Sequence, residues 1–143
     1  MKKIYIASDH AGFKLKSYIL SKFANKKKII DLGPKSNISV DYPDYAKKLS
    51  KKIASDKGSL GILICGSGMG MAITANKIKN VRAALCYSNK NTKLSRLHNN
   101  ANIITLGERL ISKNKAINLI KIFLRTKFEG GRHLRRIKKC NYV

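Results

Sequence analysis

The hydrophobic positions of the chain form short apolar runs separated by longer amphipathic segments. The apolar runs predict strands over residues 4–8, 29–32, 60–65, 81–87 and 102–106. The amphipathic segments predict helices over residues 12–25, 43–55, 71–78, 89–97 and 112–126. This alternation is typical of parallel strands joined by crossover helices, so the pattern predicts the α/β class.

The number and order of these segments predict how the chain is organised. Five strands alternating with helices favour a Rossmann-like, three-layer α/β/α domain around a five-stranded parallel sheet. We find no internal repeat and no linker within the 143 residues, so we expect a single domain over residues 1–143. The segment from about residue 128 to residue 143 is strongly basic, and we expect it to form a C-terminal arm.

The net charge of +24 is the unusual feature of the composition. Lys and Arg number 31 against 7 Asp and Glu, a balance that attracts polyanions. However, 24 Lys, 18 Ile and 12 Asn occupy 54 of the 143 positions, which indicates a general compositional bias. The lysines are spread along the chain, and no helix-turn-helix, zinc-finger or aromatic-basic RNA motif accompanies them. We expect no specific nucleic-acid partner, and a non-catalytic nucleic-acid-binding protein is the weaker alternative.

Cysteine usage and hydropathy bear on location. The cysteines Cys65, Cys86 and Cys140 show no CxxC spacing and suit a reducing compartment. The apolar runs are far shorter than the ~20 residues of a membrane helix. The apolar stretch after the basic start is also too short for a signal peptide. We therefore expect a cytoplasmic protein that does not enter a membrane.

Ligands of open parallel sheets bind beyond the carboxyl ends of the strands. This rule selects the loops at residues 8–12, 65–70, 87–88 and 107–109. The loop Cys65-Gly66-Ser67-Gly68-Met69-Gly70 precedes a helix, so several backbone N–H groups can face an oxyanion or a phosphate. The loop lacks the lysine of a P-loop, and Cys86 stands where a dinucleotide site needs an acidic residue. We expect an anion site here rather than an NAD site.

Reactive side chains at or near these loops each have a plain structural alternative. Cys65 faces the glycine loop, whose N–H donors would stabilise a thiolate, and the alternative is a small buried hydrophobe. His10 follows Asp9, whose carboxylate either fixes the imidazole tautomer or caps a helix. His98 ends a helix that runs to the opposite edge of the sheet, so it could reach this site only from a second subunit. A surface turn is the alternative for His98.

The C-terminal arm is a further candidate for binding. Arg132 and Arg136 are four residues apart, so in a helical arm they would share one face and could hold a phosphate together. In so basic a segment, a solvated surface is the alternative.

An ordered set of short motifs runs along almost the whole chain. The motifs are Ser8-Asp9-His10-Ala11-Gly12-Phe13, Asp41-Tyr42-Pro43, Ile64-Cys65-Gly66-Ser67-Gly68-Met69-Gly70, Ala75-Asn76-Lys77, Leu94-Ser95-Arg96 with His98-Asn99, Gly107-Glu108-Arg109 and Phe128-Glu129-Gly130-Gly131-Arg132-His133. Each is weak alone, but the set closely resembles the ribose/galactose-phosphate isomerase family, and within it the type B ribose-5-phosphate isomerases. The resemblance extends to about residue 138 and favours the functional interpretation of each candidate residue.

The resemblance implies an aldose–ketose isomerase, an intramolecular oxidoreductase that interconverts ribose 5-phosphate and ribulose 5-phosphate through an enediolate, without metal or organic cofactor. It implies that Cys65 moves a proton between C2 and C1 and that His98 assists opening of the furanose ring. The substrate-binding residues that it implies are Asp9, His10, Gly66, Ser67, Gly68, Met69, Gly70, Asn99, Arg109, Arg132 and Arg136. It also implies a homodimer with shared active sites, or a tetramer, acting in the pentose phosphate pathway. Isomerases of the same family that act on galactose 6-phosphate or allose 6-phosphate are the alternative.

Two positions differ within the family. A related subgroup uses a Glu base shortly after the glycines, but residues 71–73 are Met, Ala and Ile here, so the resemblance assigns the base to Cys65. The family often has Thr in the glycine loop, where Ser67 keeps the hydroxyl. Neither of these departures from the family pattern removes a catalytic group that the resemblance implies.

Overall fold

The structure, a computed structural model, describes residues 2–140. Its strands are β1 (Ile4–Ser8), β2 (Ile29–Asp31), β3 (Leu60–Cys65), β4 (Ala83–Leu85) and β5 (Ile103–Gly107). Its helices are α1 (Phe13–Phe23), α2 (Tyr42–Ser55), α3 (Met69–Ala75), α4 (Asn89–Leu97), α5 (Lys113–Arg125) and α6 (Arg132–Cys140). Within this described part, every helix is too short or too polar to traverse a lipid bilayer.

All five strands run parallel, in the spatial order β2-β1-β3-β5-β4. Ser8 lies opposite Ile64, and Cys65 lies opposite Gly107, so β1, β3 and β5 end side by side. The chain leaves β1 for β2 on one side and later returns to form β3 on the other side. The topology therefore reverses between β1 and β3, and the predicted α/β class with a five-stranded parallel sheet is confirmed.

Apolar side chains cover both faces of the sheet, as expected of parallel strands packed between helices. On one face, Ile6, Ile62 and Ile104 pack with residues of α1 and α5. On the other face, Leu63 and Ile103 pack with residues of α2 and α3. These two cores produce the predicted three-layer arrangement.

Some observed boundaries differ from the predicted ones. β4 is shorter than residues 81–87 because it is an edge strand that pairs with β5 only over Ala83–Leu85. α3 begins two residues earlier than predicted, because Gly68 adopts a left-handed conformation with φ of 76° and turns the chain directly into the helix. The expected arm is helical over α6, and its last residues, 141–143, lie outside the described residues, as does Met1.

A buried lysine ties α1 to the end of β2. Lys16 is 1% exposed, and its ammonium donates to Asp31 Oδ1 at 2.9 Å and to the Pro34 carbonyl. Burial lowers the pKa of Lys16, and the hydrogen bond and charge of Asp31 oppose that effect. For Asp31, burial acts to raise the pKa, but the Lys16 ammonium and the Gly33 N–H together hold it below its usual range. The two side chains thus form a largely buried ion pair, in which each charge stabilises the other.

Replacing Asp31 with Asn would leave this ammonium without its counter-ion. We expect Asp31→Asn to lower the free energy of unfolding by about 3 kcal/mol, measured by urea denaturation at pH 7. Because the folded-state pKa of Asp31 is depressed, its contribution is present above the unfolded pKa of about 4 and is lost as the pH falls through the folded value.

The matched control is Lys35→Gln. Lys35 also pairs with Asp31, but its side chain is 80% exposed, so this change should cost less than about 1 kcal/mol. An equal loss in both variants would contradict the role given to Lys16.

Candidate active site

The candidate site lies where three neighbouring strands end. β1 and β3 flank the topological reversal, and β5 adjoins β3. Open parallel sheets bind ligands in such a crevice. The predicted site residues that the structure brings to this edge are Asp9, His10, Cys65, Gly66, Ser67, Gly68, Met69, Gly70 and Arg109.

Cys65 is the last residue of β3, and its sulfur accepts a hydrogen bond from the Gly68 N–H at 3.1 Å. A Cβ at Gly68 would lie 2.9 Å from the backbone carbon of Leu106, so this approach requires glycine. Cys65 is 5% exposed and also packs in the apolar core, as a small buried hydrophobe would, and its role as a reactive thiol stays a prediction. A backbone N–H beside the sulfur is one feature of reactive cysteines, and burial among apolar side chains is a feature of inert ones.

Arg109 lies across the glycine loop. Its N–H donates to the Gly66 carbonyl at 3.1 Å, and a Cβ on Gly66 would lie 2.9 Å from Nη1 of Arg109. The Glu108 N–H donates to the Cys65 carbonyl at 3.0 Å, which ties the loop after β5 to the loop after β3. These contacts hold an exposed guanidinium beside the backbone N–H groups, and both can bind an anion.

Asp9 and His10 have separate partners. Asp9 is 6% exposed, and its Oδ1 accepts the Gly12 N–H at 3.0 Å at the start of α1. The Nδ1 atom of His10 lies 3.1 Å from the Val40 carbonyl oxygen and 3.2 Å from the Val40 nitrogen, so it donates to the former or accepts from the latter according to the tautomer of the ring. Asp9 thus closes the turn that precedes α1, whose N-cap residue Gly12 has no side-chain cap, and the Val40 backbone orients the imidazole.

Sequence reasoning assigned no role to two residues at this edge. Glu108 Oε1 accepts the Leu15 N–H at 2.5 Å and so caps the first turn of α1. Tyr42 lies against Gly70, where a Cβ would be 2.6 Å from the ring carbons. The sequence did single out Glu108, since it is one of only two glutamates in the chain. For Tyr42, the only sequence indication of a role was its place in the Asp41-Tyr42-Pro43 motif.

The other predicted site residues lie towards the opposite edge of the sheet. They are His98, Asn99, Arg132 and Arg136. The Asn99 carbonyl accepts from Arg82 Nε at 2.9 Å, just before β4 begins. The five residues of β5 span roughly 13 Å between this edge and Gly107, the neighbour of Cys65. His98 and Cys65 therefore do not meet within one chain.

His98 stacks on His133, a residue to which sequence reasoning gave no role. The ring centroids are 4.3 Å apart and the ring planes differ by 13°. Glu129 Oε2 lies 3.9 Å from Nε2 of each ring. Burial lowers the pKa of His133, the charges of His98, Arg132 and Arg136 lower it further, and Glu129 opposes them. The i, i+4 spacing of Glu129 and His133 was the sequence signal for part of this cluster.

His98, Glu129 and His133 are also near enough to be considered as metal ligands. Their candidate ligand atoms all lie within 4.8 Å of one another. An imidazole lone pair lies in its ring plane, however, and two nearly parallel stacked planes do not converge on an ion about 2 Å from both nitrogens. The arrangement is that of a stacked pair sharing a carboxylate.

Arg132 and Arg136 extend from the exposed side of α6. The helical arm places them one turn apart, while His133 and Ile137 form its buried side. Among the ion pairs of residues 2–140, none involves either guanidinium. Both groups are therefore available to an anionic ligand.

Comparison with known proteins places this geometry in a family. A family model described as Ribose/Galactose Isomerase matches residues 4–140. The chain belongs to the ribose/galactose isomerase family. The probable ribose-5-phosphate isomerase B of Mycoplasma pneumoniae is 44% identical over 138 residues, which are 95% of this chain and 91% of that relative. The ribose-5-phosphate isomerase B of Escherichia coli is 37% identical over 144 residues, covering 100% of this chain and 97% of the relative.

Solved structures of the isomerase family match the fold over nearly its whole length. A ribose 5-phosphate isomerase from Thermotoga maritima has a TM-score of 0.96 and 48% identity, and the match covers 99% of both chains. The ribose-5-phosphate isomerase B of Mycoplasma genitalium, with bound ribulose-5-phosphate, has a TM-score of 0.93 and 43% identity, covering 98% of this chain and 94% of that one. The resemblance inferred from the motifs is confirmed.

Proposed function

We propose that this protein interconverts ribose 5-phosphate and ribulose 5-phosphate. The observation that carries the proposal is the position of the Cys65 sulfur, which lies 3.1 Å from the Gly68 nitrogen at the carboxyl end of β3. A base at this place could remove a proton from the sugar carbon next to the carbonyl, while the loop N–H groups stabilise the resulting oxyanion. Close relatives named ribose-5-phosphate isomerase B support it, as does the relative whose structure holds ribulose-5-phosphate. The reaction is an aldose–ketose isomerisation.

Cys65 acts as the base in this proposal. Its thiolate removes the proton from C2 of the open-chain aldose, and the electron pair of that bond forms a C1–C2 double bond as negative charge moves to O1. The thiol then returns a proton to C1, the proton of O2 passes to O1, and C2 becomes the carbonyl carbon. N–H groups of the glycine loop stabilise the enediolate oxygen by roughly 3 kcal/mol per well-placed donor.

Ring opening and phosphate binding fall to the other proposed residues. His98 exchanges protons with the ring oxygen and the anomeric hydroxyl, which gives the open chain on which Cys65 acts. His10, Arg109, Arg132 and Arg136 hold the phosphate, since all can donate to its oxygens. Asp9, Asn99 and the loop from Gly66 to Gly70 surround the sugar.

The proposed site is shared between two copies of the chain in a homodimer. The Cys65 half lies at one edge of the sheet and the His98 half lies towards the other, so a twofold axis would complete two equal sites. Large apolar side chains are exposed close to the two halves: Met69 at 52%, Ile73 at 65%, Leu110 at 60% and Leu134 at 46%. Exposed apolar groups of this kind support association.

The three cysteines of the chain are free thiols, which supports the proposed location in a reducing cytoplasm. The reaction belongs to the pentose phosphate pathway, where it links an aldopentose phosphate to its ketose.

A steady-state comparison of sugar phosphates tests the proposal. We expect kcat/KM for ribose 5-phosphate to exceed the values for allose 6-phosphate and galactose 6-phosphate by at least about 100-fold. A preference for either hexose phosphate would assign the protein to the alternative activity. Absence of turnover with all three would contradict an isomerase function.

The role of Cys65 is tested by Cys65→Ala. We expect kcat for ribose 5-phosphate to fall at least about 1000-fold, because the base is removed while the phosphate ligands remain. Cys140→Ala is the matched control, since that thiol is exposed, and it should retain full activity. Substantial turnover by a folded Cys65→Ala variant would show that another group is the base.

Mixing two variants of low activity tests the shared site. Cys65→Ala and His98→Asn are unfolded together and refolded at equal concentrations, so that about half of the dimers contain one chain of each kind. Each mixed dimer has one site with both side chains intact, so we expect about a quarter of the wild-type activity. If each site were built within one chain, the mixture would be no more active than its components.

A further inference from the structure

We propose that His133 is a positioning residue that holds the His98 imidazole in the orientation needed for proton transfer during ring opening. The inference deepens the proposed function and rests on it. Its basis is the stack of the two rings, whose centroids lie 4.3 Å apart.

His133 is held firmly. It is 7% exposed, and Ile137, one turn later on the same side of α6, is also buried at 7%. Gly130 and Gly131 have φ values of 75° and 57°, which let the chain reverse just before α6. The His133 N–H donates to the Gly130 carbonyl at 3.2 Å. The His133 ring is thus anchored by the start of the helix to which it belongs.

His98 is held much less firmly. It is the residue at which α4 ends, and its side chain is 40% exposed. Among the hydrogen bonds of residues 2–140 none involves its ring, and Glu129 Oε2 lies 3.9 Å from its Nε2. The stack on His133 is therefore the contact that fixes the plane of the His98 ring. A stacked ring keeps its edge nitrogens accessible, as proton transfer requires.

The charges around the pair favour a neutral His133. Burial lowers its pKa, and His98, Arg132 and Arg136 act in the same direction, whereas Glu129 opposes them. A neutral imidazole can accept a cationic neighbour on its π face, while two cationic rings at 4.3 Å would repel each other. A neutral His133 therefore remains a favourable stacking partner while His98 transfers protons in the proposed ring opening.

Helix α6 also carries two of the residues that we propose bind the phosphate. Arg132 and Arg136 lie on its exposed side, and His133 lies on its buried side. One rigid element thus sets the spacing between the guanidiniums and the ring-opening imidazole.

A double-mutant cycle with ribose 5-phosphate tests the inference. We expect His133→Ala to lower kcat about tenfold while KM changes less than about twofold, because the substrate contacts remain. In a His98→Asn background, whose residual turnover uses sugar that opens spontaneously in water, His133→Ala should cause no further loss. His133→Phe, which keeps a planar ring, should regain most of the activity. Arg135→Ala, an exposed change on the same helix, is the control and should match the wild type.

The outcomes separate the possibilities. Losses that add in the double variant, or a His133→Phe variant no better than His133→Ala, would overturn the positioning role. If circular dichroism shows that His133→Ala does not fold, His133→Leu replaces it, since leucine fills the space without a planar ring. A wild-type protein inactive on ribose 5-phosphate would overturn the proposed function, whereas an active wild type with an additive cycle overturns only this inference.

Discussion

The close approach of the loops that follow β3 and β5 is the constraint on which the rest of the site depends. A Cβ at Gly107 would lie 2.7 Å from the Ser67 backbone, and one at Gly68 would lie 2.9 Å from that of Leu106. Because neither position has room for a side chain, the two loops pack backbone against backbone. That packing brings the Gly68 N–H to the Cys65 sulfur at 3.1 Å. It also places the Arg109 guanidinium beside Gly66, so one contact positions both the thiol and the guanidinium of the proposed site.

The scarcity of acidic residues makes the position of each carboxylate informative. The chain has seven, and two that lie near Cys65, Asp9 and Glu108, both accept backbone N–H groups at the start of α1. They stabilise the positive end of that helix and do not pair with an arginine. Over residues 2–140, the ion pairs leave Arg109, Arg132 and Arg136 without a carboxylate partner. The charge in these half-sites is therefore available to a phosphate, while most of the net +24 is carried by scattered lysines.

The two half-sites follow from the direction of parallel strands. Every strand carries its carboxyl end to one edge, so the loops after β1, β3 and β5 meet there. A helix that follows a strand runs back, so α4 delivers His98 towards the other edge. In the proposed homodimer a second chain joins the two, and α6 carries both Arg132 and Arg136 and the buried His133 on which His98 stacks.

Local features of the chain were readable from the sequence. β1, β3 and α4 have the predicted boundaries, because the apolar runs are long enough for buried strands and Ser88 caps α4 through its own side chain. The glycine loop and its thiol were also found, since both lie within six consecutive residues.

Other features needed the tertiary structure: the strand order, the Val40 backbone as partner of His10, the cap that Glu108 provides to α1, and the stack of His98 on His133. Each of these joins residues that are far apart along the chain. Local periodicity and spacing carry information about which element a residue belongs to, but only the packed fold decides which distant side chains become neighbours.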